Sequence, residues 1–120
     1  MRTVTFNIEN IKYTSLNKVY SGVHWKIRKD LADEWHNLVG WIFKGLYPQF
    51  RPFVGKVTVT MIFHKKGKEM DIDNFALCSK LILDGLKGLA YEDDIQVCKL
   101  ITEKEKSKEN YIEVTLRNYA

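Results

Sequence analysis

Between Asp71 and Asp94 the chain reads DIDNFALCSKLILDGLKGLAYEDD, a stretch dense in side chains that suit phosphodiester hydrolysis. Asp71 and Asp73 are one residue apart, so an extended backbone sends both carboxylates to the same side. Two hard oxygen ligands at one point suit magnesium, which takes one or two carboxylates, keeps several waters and completes its shell with a substrate phosphate. A lone D-x-D has a plainer reading as well, because aspartate is favoured as an N-cap on a solvated turn. Here the pair has company. On a helix, Asp73, Lys80 and Asp84 fall within about 40° of one another, and the i,i+4 spacing lets Asp84 orient Lys80 through an ion pair. A compact ammonium such as Lys80 suits charge neutralisation on a phosphate or leaving oxygen. Glu92, Asp93 and Asp94 then form an acidic turn. Either that turn is simply solvated, or a returning strand carries it back toward Asp71 and completes a carboxylate cluster.

Other metal chemistries fit poorly. An EF-hand needs glycine where Ala76 stands and a bidentate glutamate where Ile82 stands. His24, His36 and His64 show no zinc-ligand spacing, and His36 reads as a plain helix-surface residue. Cys78 and Cys98 stand alone in apolar surroundings, which predicts buried free thiols and not a disulfide framework.

The net charge of +4 is unevenly spread: residues 1–68 carry 12 Lys and Arg against 4 Asp and Glu, residues 69–120 carry 7 against 11. A basic region holds a polyanion by displacing its counterions, whereas an acidic cluster among such residues repels phosphate unless a cation sits there. Lys18, Arg28, Lys29, Lys65 and Lys66, with Asn17, are the candidates for contacts to the backbone phosphates of such a polyanion. The cations at the start of the first helix oppose its macrodipole, so they do not serve the helix itself. Solvated surface charge remains the alternative for all of them.

Positioning these groups falls to an α+β domain spanning residues 1–120. Val4, Phe6 and Ile8 alternate with polar residues as in a half-buried strand, and Ile11–Gly22 reads as an ordered loop. Ile27, Leu31, Trp35, Leu38 and Ile42 give an amphipathic helix from Trp25 to about Lys44. Val57–Phe63 is a second alternating strand, followed by a basic tail of His64, Lys65, Lys66 and Lys68. A second helix runs from about Asp73 to Lys87, stopped by Gly88. Strands over Ile95–Thr102 and Tyr111–Arg117 flank the charged KEKSKEN and are expected to form a hairpin. The order is β-α-β-α-β-β, a mixed sheet with two main helices. No segment has the apolar length of a membrane span and no leader pattern is visible, so a cytoplasmic location is expected.

In their combination, Asp71-Ile72-Asp73-Asn74, Lys80, Asp84-Gly85-Leu86 and Asp93-Asp94-Ile95-Gln96-Val97 resemble the RusA family of Holliday-junction resolvases. The upstream SLNKVY, Ser15 to Tyr20, resembles that family's serine-asparagine loop. The resemblance implies a magnesium-dependent endodeoxyribonuclease, with manganese as a substitute, acting on branched DNA in recombination and repair. It implies that Asp71, Asp73 and Asp94 bind the metal, that Lys80 acts in catalysis, and that the protein is a homodimer. Asn74, Asp84 and Asp93 are supporting candidates. Two symmetric cuts by a chain with room for one site also argue for a two-fold dimer. A flap- or fork-directed nuclease, or a basic DNA-binding module with structural acids, are the alternatives.

Overall fold

The computed structural model describes residues 2–13 and 25–119, so the Ser15–Tyr20 loop with Asn17 and Lys18, and also His24, lie outside the described residues. Strand β1 spans Thr3–Glu9, and its alternation buries Val4, Phe6 and Ile8 as the sequence requires. Helix α1 spans Trp25–Leu46, strand β2 Val57–Lys65, helix α2 Ala76–Leu86, strand β3 Val97–Lys106 and strand β4 Tyr111–Asn118. Together they form a single mixed sheet in the order β1-β4-β2-β3. The architecture is α+β, as the element pattern predicts, and among the described residues no helix is long and apolar enough to cross a membrane.

The expected hairpin does not form. Strands β3 and β4 flank β2 on opposite sides, β3 parallel to it and β4 antiparallel. A strand that comes after β2 through a helix returns in the same direction, and a parallel neighbour requires that kind of crossover. β4 instead inserts between β1 and β2, where Ile112, Val114 and Leu116 are fully buried, leaving the charged β3 at the edge. The link between β3 and β4 passes over the end of β2, with the Ser107 N–H donating to the Lys65 carbonyl at 2.9 Å and the Lys66 N–H to Asn110 Oδ1 at 2.8 Å. Part of KEKSKEN, Lys104 to Lys106, therefore belongs to β3 and not to a loop. Exposed alternating charge blunts such an edge against pairing with other chains.

Both helices pack over the face bearing Val57, Val59, Met61 and Phe63, where the core lies. α1 and α2 meet at Gly85, where an added Cβ would lie 3.1 Å from Val39 Cβ. The opposite face of the sheet is polar. It carries His64, which is buried and not part of an exposed basic tail: Nδ1 lies 3.3 Å from Glu105 Oε2, Nε2 2.9 Å from Glu113 Oε1, and the ring stacks on Tyr111 at 4.0 Å. A neighbouring carboxylate on each flanking strand explains how a histidine is accommodated there. Cys78 is buried as expected; Cys98 is exposed, because β3 is an edge strand and its register shifts beside Val57.

Candidate active site

Helix α2 does not begin at Asp73. Residues Ile72–Phe75 form a 3-10 turn, with the α-helix starting only at Ala76. Asp71 occupies the position before that turn in extended conformation, yet its side chain makes no capping hydrogen bond. The plain reading of the D-x-D as a helix cap therefore fails for its first member. Asp71 and Asp73 are both exposed, and among the described residues no hydrogen bond or ion pair engages either carboxylate. Asn74 anchors the turn through its backbone, its N–H donating to the Asp71 carbonyl at 3.0 Å.

One turn further, Asp73, Lys80 and Asp84 line the same cleft, a space of about 420 Å³ between α2 and the edge strand β3, whose Leu100 and Thr102 form the other wall. Lys80 Nζ lies 3.1 Å from Asp84 Oδ2. Lys80 is 65% exposed and Asp84 30% exposed, so the pair is held in contact at the rim of the cleft. Asp84 also faces α1, with His36 Nε2 4.0 Å from Oδ2 and making no hydrogen bond of its own. His36 is thus not a plain surface residue: it points into the seam between the helices beside the cleft.

Asp93 and Asp94 differ in what the fold asks of them. Asp93 caps the 3-10 turn Asp94–Gln96, its Oδ1 accepting from the Ile95 N–H at 3.2 Å. Gln96 completes a capping box, its Oε1 accepting from the backbone of Glu92 (2.9 Å) and Asp93 (3.2 Å). The same side chain donates through Nε2 to the carbonyls of Phe53 (2.8 Å) and Gly55 (2.9 Å), tying the acidic turn to the loop before β2. Asp94 is exposed, and among the described residues its carboxylate makes no hydrogen bond or ion pair. The stretch expected to start a strand at Ile95 is this turn, which sets the orientation of Asp94.

The acidic turn and the D-x-D lie at opposite ends of α2. The helix runs back along the sheet between two parallel strands, so its two flanking segments are separated by its length, 11 residues or about 16 Å. Among the described residues no group of three or more histidine, cysteine or acidic side chains is placed to hold a metal ion, so one chain does not gather Asp94 with Asp71 and Asp73. At the acidic-turn end of α2 sits Tyr91, fully buried, bridging to Phe53 and Lys87 and with its hydroxyl donating to the Leu83 carbonyl at 2.6 Å. Burial, and then the nearby Asp94 and Asp84 carboxylates, hold its phenol pKa well above the usual range.

Of the proposed DNA-contacting residues, Lys29 pairs with Asp33 at 3.4 Å on exposed α1, and Arg28 stands half-buried on the same helix. Lys65 turns back to the carbonyls of Lys66 (3.2 Å) and Lys68 (2.5 Å), while Lys66 is exposed. Sequence reasoning missed Gln96, Tyr91, His36 and Lys104. Only Gln96 carried a local signal, since Asp-x-x-Gln is itself a capping-box pattern. Lys104 reaches from β3 to the Met70 carbonyl at 3.1 Å, beside Asp71, a placement that no spacing in the chain announces.

The model of the family described as Endodeoxyribonuclease RusA matches residues 17–117. A comparison with curated protein sequences gives no match.

Proposed function

The chain belongs to the RusA endodeoxyribonuclease family, and from that premise we propose that it is a magnesium-dependent resolvase of Holliday junctions, acting as a homodimer. The observation that carries the reading is the pair Asp71 and Asp73: two exposed carboxylates that the fold does not use, beside a cleft holding the Lys80–Asp84 ion pair. Their donor chemistry fits magnesium, with Asp71 and Asp73 as ligands and room for water and a phosphate oxygen. Bound there, the ion would supply Lewis-acid polarisation of the phosphate and a more acidic water. Lys80 places positive charge where the scissile phosphate would enter, and Asp84 fixes its direction. Manganese, similar in ligand preference, is the expected substitute.

Asp94 enters this site from a second copy. Two chains related by a two-fold axis, with their α2 helices antiparallel, bring Asp94 of the partner subunit to the D-x-D end and reciprocate at the other end. Exposed Ile72, Leu100 and Ile95 line the cleft or stand beside Asp94, supplying apolar surface for such a contact. A dimer built this way carries two sites, as two cuts across a junction require.

The test pairs cleavage of a four-way junction in magnesium with gel-shift affinity in chelator, alongside flap and linear duplex substrates. Asp71→Asn, Asp73→Asn and Asp94→Asn should each abolish cleavage and bind as well as or better than wild type, because one uncompensated negative charge has been removed. Glu103→Gln is the surface control. Mixing Asp73→Asn with Asp94→Asn chains should restore nicking of one strand, since a shared site then regains all three carboxylates. Full cleavage by Asp71→Asn or Asp73→Asn refutes the metal assignment, no restored nicking refutes the shared site, and preference for flaps redirects the substrate.

A further inference from the structure

The acidic half of the sequence contributes cations that the fold returns to the basic half. In the parallel β2–β3 pair, Lys65 stands directly opposite Lys106, and Phe63 opposite Lys104. Like charges directly opposite one another on neighbouring strands are destabilising. Lys66 and Lys68 continue from the same end of β2, so five lysines meet Glu69 and Glu105 there, and Glu105 is drawn to His64 on the other face. Lys65, Lys104 and Lys106 line one small depression together with Glu69, Glu105 and Met70, immediately before Asp71, so three cations face two carboxylates there.

Two of these ammonium groups are fixed by the loop. Lys65 donates to the carbonyls of Lys66 and Lys68, and Lys104 donates to the carbonyl of Met70. An ammonium has three donors. These bonds leave one on Lys65 and two on Lys104, held at the rim of the D-x-D turn. A surface that needed only solubility would gain nothing from gathering cations in register and tethering them next to the site.

We infer that Lys104 and Lys106, with Lys65, form a binding site for a DNA-backbone phosphate flanking the one that is cut. The inference rests on the nuclease reading above and adds β3 to the DNA-binding surface. The contact is with a phosphate that does not react, so it holds ground state and transition state alike: its removal raises KM together with Kd. It also fixes the strand's position relative to Asp71 and Asp73, one phosphate step along the backbone.

The test is the Lys104→Gln, Lys106→Gln double variant of the full chain, with four-way junction affinity measured in chelator between about 50 and 200 mM salt. Each phosphate that is no longer neutralised lowers the slope of log affinity against log salt by about 0.9. The double variant, which loses one phosphate contact in each of the two protomers, should therefore show a slope shallower by nearly 2, about tenfold weaker binding at mid-range salt, and a KM raised by the same factor. Its melting temperature should equal or exceed wild type, because repulsion across β2 and β3 is relieved. The Lys104→Arg, Lys106→Arg double variant should keep the slope, and Lys44→Gln, on the far end of α1, should change nothing. An unchanged slope and Kd in the glutamine variant, with normal junction binding by wild type, overturns this inference alone. Failure of wild type to bind the junction overturns the nuclease reading and takes the inference with it.

Discussion

Gln96 should be worth more to the protein than a half-buried amide usually is. Its side chain makes four hydrogen bonds, two donated to Phe53 and Gly55 and two accepted from Glu92 and Asp93, joining the loop before β2 to the turn that presents Asp94. A typical intramolecular hydrogen bond contributes about 1 kcal/mol net, and a buried partner left unpaired costs more. Three of the four bonds are solvent-exposed, where water replaces part of the loss, but the one to the carbonyl of buried Phe53 is not. Gln96→Ala should therefore cost about 3 kcal/mol in all. For a domain of this size that is a fall in Tm of about 12 °C. Gln96→Glu keeps both acceptors but turns an oxygen toward two carbonyls and adds charge beside Glu92, Asp93 and Asp94, so it should be at least as damaging. Urea unfolding of the three proteins gives the numbers directly. A loss below about 0.5 kcal/mol for Gln96→Ala, within the range of an ordinary surface change, would refute the claim that this side chain holds the acidic turn.

Lys80→Ala should lower the cleavage rate by at least about a hundredfold while changing stability by less than about 0.5 kcal/mol, because an exposed i,i+4 pair contributes little to folding and a transition-state contact shows in rate; junction cleavage and urea unfolding measured together check both halves. Gly85→Ala should destabilise by about 1 kcal/mol, the helix-propensity gain being outweighed by a Cβ at 3.1 Å from Val39, which is fully buried and cannot yield; a stabilised variant in denaturant would show that the helices can separate. Burial raises the phenol pKa of Tyr13 and Tyr91. In the unfolded chain these phenols ionise near pH 10, before the folded ones do, so stability is unaffected below that pH and falls as pH rises above it. Tyr91→Phe should reduce that alkaline slope, measured by denaturant midpoints from pH 8 to 11, and an unchanged slope would count against it.

Where one strand or helix decides its own form, the sequence is legible. Val4, Phe6 and Ile8 can only be a half-buried strand, and the spacing of Asp73, Lys80 and Asp84 does bring them to one cleft although Asp73 sits in a 3-10 turn. Choice of neighbour is not legible. The run Tyr111–Arg117 alternates in the same way whether it pairs with β3 or inserts between β1 and β2, because alternation specifies a face and not a partner. The misplaced hairpin accounts for the omission of Lys104. Lys104 reads as loop charge only if β3 ends at Thr102. Asp94 can rejoin Asp71 within one chain only if the length of α2 between them is ignored. His36 and Tyr91 have no local pattern at all, since each is defined by a contact with a different element.

The sheet order also sets a schedule. Thr3 pairs with Arg117 and Glu9 with Tyr111, so the first strand made finds its partner only in the last. Meanwhile β2, α2 and β3 form a continuous crossover unit whose contacts lie within some fifty residues of chain. Loop-closure entropy favours that unit forming first, with β1 waiting, its apolar row of Val4, Phe6 and Ile8 exposed, until β4 supplies the bridge. During that interval β1 and the β4-facing edge of β2 are both open strand edges, the kind that pair with other molecules. The proportion of chains that reach the native state should thus depend on how soon Tyr111–Asn118 becomes available, more than on the strength of any single contact in the finished molecule.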